Sequence, residues 1–271
     1  MSKNYIKYEE IIENLNIKKG DSLLLIADLT NILIDCKSNN EKFDGNKFID
    51  SIIKKIGLEG TLLLPTFNFD FCKGKDFDYI NTIPTTGALP KIALSRKDFK
   101  RTKHPIHSFA VWGSDKEELC NLDNLSSFGN DSPFSYLHKK NVKNLTIGLD
   151  YKLGFTIVHY CEEKVGVNYR LLKEFKGFYI DENKKKELKT YQMYVRKDVQ
   201  LNTMTGIKPE LDEILKSKNE YIKYKINNNI IFSLNLKIIV DILIDNIKAK
   251  GDIVYLTDVE NYLKQMNKKQ F

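Results

Sequence analysis

Two unbroken apolar runs, Ser22-Leu-Leu-Leu-Ile-Ala27 and Gly60-Thr-Leu-Leu-Leu-Pro65, limit the possible folds of this chain more than any other feature. A strand with one wet face alternates apolar and polar residues, whereas consecutive leucines require cover on both faces. An amphipathic helical pattern over Phe48–Ile56, closed by Gly57, lies between the runs, and Phe109–Gly113 and Leu145–Leu149 read as two further strands. Strands alternating with helices predict a three-layer α/β/α sandwich on a largely parallel or mixed central sheet. A chain of 271 residues can bury a core of that kind as one unit.

The apolar spacing of Tyr5–Leu15 adds a helix before the first strand. Beyond Arg170 the texture changes. Phe175–Ile180 and Leu188–Val195 flank a polar turn and a lysine run, which predicts a β-hairpin. Helices are expected over Glu210–Lys216, Leu236–Ile247 and Asp258–Met266, with short strands at Tyr221–Ile226 and Ile230–Phe232. No Pro-, Gly- or Ser-rich linker divides the chain, so residues 1–271 read as one domain with 171–271 as a C-terminal β-hairpin and helical subdomain or lid.

Charge narrows the partners. The 43 basic and 36 acidic side chains leave +7, but the lysines are dispersed and no arginine–aromatic stripe tracks a nucleic-acid backbone. A mild positive potential suits a phosphate-bearing small molecule. Cys36, Cys72, Cys120 and Cys161 show no paired spacing, so reduced thiols in a cytoplasmic protein are expected. No run approaches the ~20 apolar residues of a membrane span, and the N-terminus lacks the apolar stretch of a secretory signal.

Chemistry concentrates in two places. In residues 154–170, His159 and Glu162 stand three apart, on one face of a helix that follows a strand ending at Gly148. With Thr156 as a candidate N-cap, His159 falls in the first turn, where the helix dipole disfavours imidazolium and keeps the ring available as a base. The second place is the long connection Thr66–Ser108, since irregular segments of that length inside a domain tend to carry function. Its Thr82-Ile-Pro-Thr-Thr-Gly87 piece precedes a helix and can offer N–H groups to an oxyanion.

In order and spacing, several motifs of the chain resemble the aminoglycoside 3-N-acetyltransferase family. They are Gly60–Phe67, Thr82–Pro90, Arg101-x-x-His104-Pro105-x-His107-Ser108-Phe109-Ala110 with Gly113, Asp131-Ser132-Pro133, and Thr156-x-x-His159-x-x-Glu162. The resemblance covers about residues 18–170 and implies transfer of an acetyl group from acetyl-CoA, or another acyl-CoA, to an amine of a sugar. It implies His159 as general base, with Glu162 either orienting the ring or holding the substrate amine. His107, Asp70 and Asp78 become candidate substrate contacts. Asp28, Thr30, Thr66, Thr86 and Arg101 become candidate CoA contacts.

Each candidate has a plainer role beside it. His107 is otherwise a packed ring, Thr66 and Thr86 are caps of turns, Asp70 and Asp78 are solvated, and Arg101 is an exposed ion pair. His104 reads as a loop anchor and His138 as a surface residue. A metal held by His104-x-x-His107 is disfavoured, because that spacing lies in a proline-containing loop and not on a helix. One departure matters. Where family members carry a His-Ser-Ser-Leu-type motif after the first strand, this chain has Ile26-Ala27-Asp28-Leu29-Thr30, as in relatives associated with surface-polysaccharide assembly. With the net positive charge, that favours a nucleotide-linked amino sugar as acceptor. A cationic aminoglycoside, or a non-catalytic binding role, is the alternative.

Overall fold

The structure is a computed structural model that describes residues 5–153, 155–197 and 202–260. Both apolar runs become adjacent, parallel central strands, β1 (Ser22–Ala27) and β2 (Thr61–Pro65). The chain between them forms α1 (Thr30–Ser38) and α2 (Gly45–Ile56), the latter capped by Asp44, whose carboxylate accepts from two N–H groups of the first turn. A two-residue strand β3 (Phe77–Asp78), helix α3 (Ala88–Ser95) and a second short strand β4 (Lys100–Arg101) lie along the long connection that leads to β5 (Phe109–Gly113). Next come α4 (Lys116–Asn121), α5 (Pro133–Lys139), β6 (Lys143–Ile147) and α6 (Ile157–Val165). A long hairpin, β7 (Arg170–Ile180) with β8 (Lys186–Arg196), follows, and then β9 (Thr203–Ile207), α7 (Glu210–Ser217), β10 (Tyr221–Ile226), β11 (Asn229–Asn235), α8 (Leu236–Lys248) and β12 (Val254–Asp258).

Seven strands form the central sheet in the order β10-β11-β6-β1-β2-β5-β4. Only β6, β1 and β2 run parallel; every other pairing is antiparallel, so the sheet is mixed. The reason lies in the long connection. It leaves the sheet at Thr66 and returns at Ser108, with the Thr66 N–H donating to the Ser108 carbonyl at 2.8 Å, so β5 has to run back along β2. Period-two alternation divides the leucines between two cores. Leu23, Leu25, Leu62 and Leu64 pack with Phe48, Ile49 and Ile52 of α2 on one face. Leu24 and Leu63 pack with Phe134, Tyr160 and Val240 of α5, α6 and α8 on the other. The result is the α/β/α sandwich expected.

The first helix is tighter than its spacing suggested, with Tyr8–Asn14 wound as a 3₁₀ helix that keeps Tyr8 and Ile11 buried. The hairpin strands outrun the predicted segments and begin and end on arginines. The C-terminal third is divided. Strands β10 and β11 extend the main sheet beside β6, while β9 and β12 pair separately, two strands with no alternating signal in the sequence. Of the helix expected over Asp258–Met266, Asp258 ends β12 and residues 261–266 lie outside the described residues. Gly148 closes β6 at φ +79°, with the Asp28 carbonyl where a Cβ would sit, so this turn admits only glycine. Among the described residues no helix is long and apolar enough to cross a membrane.

Candidate active site

His159 is the third residue of α6, and its side chain keeps 29% of its exposure, while Glu162, one turn later, is fully buried. Nδ1 of His159 lies 2.7 Å from Oε2 of Glu162. A carboxylate only accepts, so Nδ1 carries the proton and Nε2 keeps its lone pair. Oε1 of Glu162 accepts from the Tyr169 hydroxyl at 2.8 Å and the Thr205 hydroxyl at 3.0 Å. Arg170 Nε lies 2.8 Å from Oε2 as an ion pair, although its N–H is not aimed along that contact. Arg170 Nη2 also comes within 3.1 Å of His159 Nδ1; two donors cannot bond, so this approach is a contact alone.

The electrostatics favour a neutral ring beside a charged carboxylate. Burial depresses the His159 pKa, and the nearby Arg170 and Arg196 charges push it further down, against the opposing pull of Glu162. For Glu162 burial acts upward, but the His159 bond, the Arg170 charge and the Tyr169 hydroxyl outweigh it and hold the carboxyl below its usual range. Gly166, left-handed at φ 75°, ends α6 and turns the chain so that Tyr169 and Arg170 come back alongside Glu162.

Two cavities meet at Thr156, at the mouth of this helix. The first, about 310 Å³, opens over the C-terminal ends of β1 and β2, where ligands of open α/β sheets bind. Its wall is apolar, with Leu25, Leu64, Pro65, Leu89 and Leu153 among the lining, and Thr86 and Thr156 supply hydroxyls. The second, about 170 Å³, is polar and has His159, Lys152, Arg170, Arg196 and Thr205 in its wall. The first cavity offers room for an apolar chain and the second for a polar group beside the imidazole.

The remaining candidates are placed as follows. Thr86 lines the apolar cavity and donates to the Pro65 carbonyl. Thr66 points the other way, buried against the Ser108 hydroxyl at 2.8 Å, because it alternates with the cavity-facing Pro65 and Phe67. Asp28 accepts from the Thr30 N–H and hydroxyl at 2.9 and 2.6 Å, so the pair closes a tight turn leading into α1 and lines neither cavity. Asp70 is half-buried and paired with Lys73 and Lys75, and Asp78 accepts from Ile80 and Asn81 in a turn; neither lines a cavity of the site.

Arg101 corrects the expectation of an exposed ion pair or a phosphate contact. It is buried, donates to the Tyr79 and Thr82 carbonyls, and stacks over Phe77, pinning the long connection from inside. Burial lowers its pKa to about 10. His107 sits among Phe67, Phe128 and Phe134, bonds Ser127 at 2.9 Å and lines neither cavity. It supports His159 indirectly, since Phe128 packs on both rings. His104 anchors the loop through Ile106 and His107 N–H groups, both at 3.3 Å. His138, read as surface, instead bridges Asp241 at 2.8 Å and Tyr160 at 3.2 Å. Among the described residues no cluster of three His, Cys, Asp or Glu side chains assembles that could hold a metal.

Sequence reasoning missed Tyr169, Arg170, Arg196 and Thr205. A glycine three residues before Tyr169 was the one local signal for the first two; Arg196 and Thr205 arrive from distant strands and had none.

A family model described as aminoglycoside 3-N-acetyltransferase matches residues 38–248. A curated relative, the SPbeta prophage-derived aminoglycoside N(3')-acetyltransferase-like protein YokD of Bacillus subtilis (strain 168), is 25% identical over 58% of this chain. That match spans 63% of the relative, just under two thirds of its length. Among solved structures, sisomicin-bound AAC-VIa superposes with a TM-score of 0.74 at 16% identity, over 92% of this chain and 100% of that one. AAC-IIIb in binary complex with CoASH gives 0.72 at 13% identity, over 90% and 96%. At those identities the structural likeness speaks for the fold.

Proposed function

The chain belongs to the aminoglycoside 3-N-acetyltransferase family, and from that premise we propose that it moves the acetyl group of acetyl-CoA onto a primary amine of an amino sugar, with His159 as general base. The family's chemistry is acetyl-CoA-dependent N-acetyl transfer, with acetyl-CoA as co-substrate. The observation that carries the base assignment is the 2.7 Å contact between His159 Nδ1 and a buried, ionised Glu162, which commits Nδ1 and leaves Nε2 as the acceptor of a ring that lines the polar cavity.

Acetyl-CoA supplies an activated carbonyl and a thiolate leaving group. The apolar walls at Leu25, Leu64 and Leu89 suit its pantetheine arm, and Thr86 and Thr156 stand where the arm would approach His159. His159 Nε2 takes the proton that the amine sheds as the C–N bond forms, and Glu162 stabilises the resulting imidazolium. The ring then returns that proton to the departing sulfur. A base tuned near neutrality contributes about 10²–10⁴-fold.

The comparisons favour an acceptor of the aminoglycoside type over a role in surface-glycan assembly, for which they offer no support. The test is CoASH release from acetyl-CoA with tobramycin, glucosamine and phosphorylated amino sugars, followed by mass spectrometry of the acceptor. Release with any amine, lost in His159→Ala, sustains the reading; no release with the whole panel removes it.

A further inference from the structure

The second cavity holds more positive charge than amine acetylation uses. Arg170 and Arg196 stand directly opposite each other across the β7–β8 hairpin, where like charges destabilise a strand pair. One carboxylate answers them, and Glu162 is already committed to His159 and Arg170. Lys152, the third cation of the wall, is matched by Asp212 at 2.9 Å and Asp150 at 3.5 Å. That leaves Arg196 unanswered. Among the described residues it has no carboxylate within ion-pair distance, and its Nη1 is buried without an acceptor. Nη1 itself is closed to a ligand, but Arg196 as a whole is half-exposed and lines the polar cavity, so its unanswered charge is open to an anion there. Guanidinium forks match the oxygens of phosphate and carboxylate.

Resting on the amine-acetylation reading above, we propose that the acceptor carries an anionic oxygen group, phosphate or carboxylate, and that Arg196 binds it while the acceptor's amine faces His159. A second anion source exists in the phosphates of CoA. The separation of the cavities argues against it: Arg196 lies in the polar wall with His159, and no arginine or lysine lines the apolar cavity. An aminoglycoside with several ammonium groups would add positive charge where one is already in surplus. On this charge argument the acceptor departs from the polycationic aminoglycosides that the comparisons favour, and is an amino sugar with both an amine and an acid.

The test compares glucosamine 6-phosphate, glucosaminuronic acid and tobramycin as acceptors for the full chain, in wild type, Arg196→Gln and Arg196→Lys. The expected result is a kcat/KM for the preferred anionic sugar at least tenfold above that for tobramycin. Arg196→Gln then raises the acceptor KM tenfold or more and moves the acetyl-CoA KM less than twofold, with Arg196→Lys between the two. The phosphate and carboxylate arms identify the acid. Preference for tobramycin overturns the proposal while leaving the transferase reading intact, and so does an Arg196→Gln effect confined to the acetyl-CoA KM. If no amine is acetylated, the transferase reading fails and calorimetry with glucosamine 6-phosphate decides the anion site. Binding weakened tenfold by Arg196→Gln sustains it, and no binding to wild type at millimolar ligand overturns it.

Discussion

The Thr205 hydroxyl donates to Oε1 of Glu162 across 3.0 Å, although 43 residues separate them in sequence. It also accepts from Arg170 Nη2 at 3.0 Å, so β9 ties the carboxylate and its guanidinium into one network. The carboxylate beside the proposed base is thus fixed partly by a strand from the C-terminal third.

Thr205→Val is expected to remove one donor from a buried carboxylate at a cost of about 1–3 kcal/mol. Urea denaturation should show the loss, and kcat should fall several-fold as Glu162 orients the ring less firmly. An unchanged midpoint and an unchanged kcat together would count against this role for β9.

Glu162→Gln should be more severe than its size suggests. It leaves Arg170 buried without its counterion, and breaking a buried pair costs about 3–5 kcal/mol. The Tm should drop, and acetylation by whatever fraction remains folded should fall as for His159→Ala. Comparing the two variants by kcat at a temperature where both are folded separates stability from catalysis.

The pH profile has a definite sign. A base works only when deprotonated, and burial with the arginine charges holds the His159 pKa below its ordinary value. The acid limb of kcat/KM should therefore lie below the usual histidine range near pH ~6.5. Arg196→Gln removes one of the charges that depress it, so the limb should move to higher pH. A limb unmoved in that variant argues that Arg196 does not act on the ring.

Acid should also unfold the protein early. His104 is buried and its folded pKa is lowered to about 3, and burial lowers His107 in the same direction. The unfolded chain then binds protons that the folded one refuses. Their contribution is complete above pH ~6.5 and is lost as pH falls toward the folded values, by about 1.4 kcal/mol per pH unit for each histidine. Urea midpoints measured from pH 7 to pH 4 should decline steadily.

Ile26→Trp would fill the apolar cavity from its β1 wall. We expect the KM for acetyl-CoA to rise about tenfold, on the order of 1.4 kcal/mol, with the acceptor KM little changed. Initial rates with each substrate varied in turn would show whether this cavity takes the pantetheine arm.

The layered architecture was legible because it follows from local pattern. Consecutive leucines at 23–25 and 62–64 can only lie in a sheet covered on both sides, and the structure places them so. His159 and Glu162 were legible for the same reason: three-residue spacing on a helix fixes their common face whatever surrounds it. Direction along the sheet was not, since β5 turns antiparallel through a contact between Thr66 and Ser108 that no window of sequence contains. Arg101 was misjudged for a related reason: its partners are carbonyls of Tyr79 and Thr82, which every residue possesses and no sequence advertises.

Covalent order by itself determined the central strands, the helices that cover them and the shared face of His159 and Glu162. Tertiary structure alone decided what those groups face: the Arg170–Arg196 pairing, the Thr205 bond and the two cavities on either side of Thr156. The physical reason is range. Backbone periodicity is set by neighbours a few residues apart, whereas the charge of a pocket is the sum of side chains that only folding brings within a few ångströms of one another.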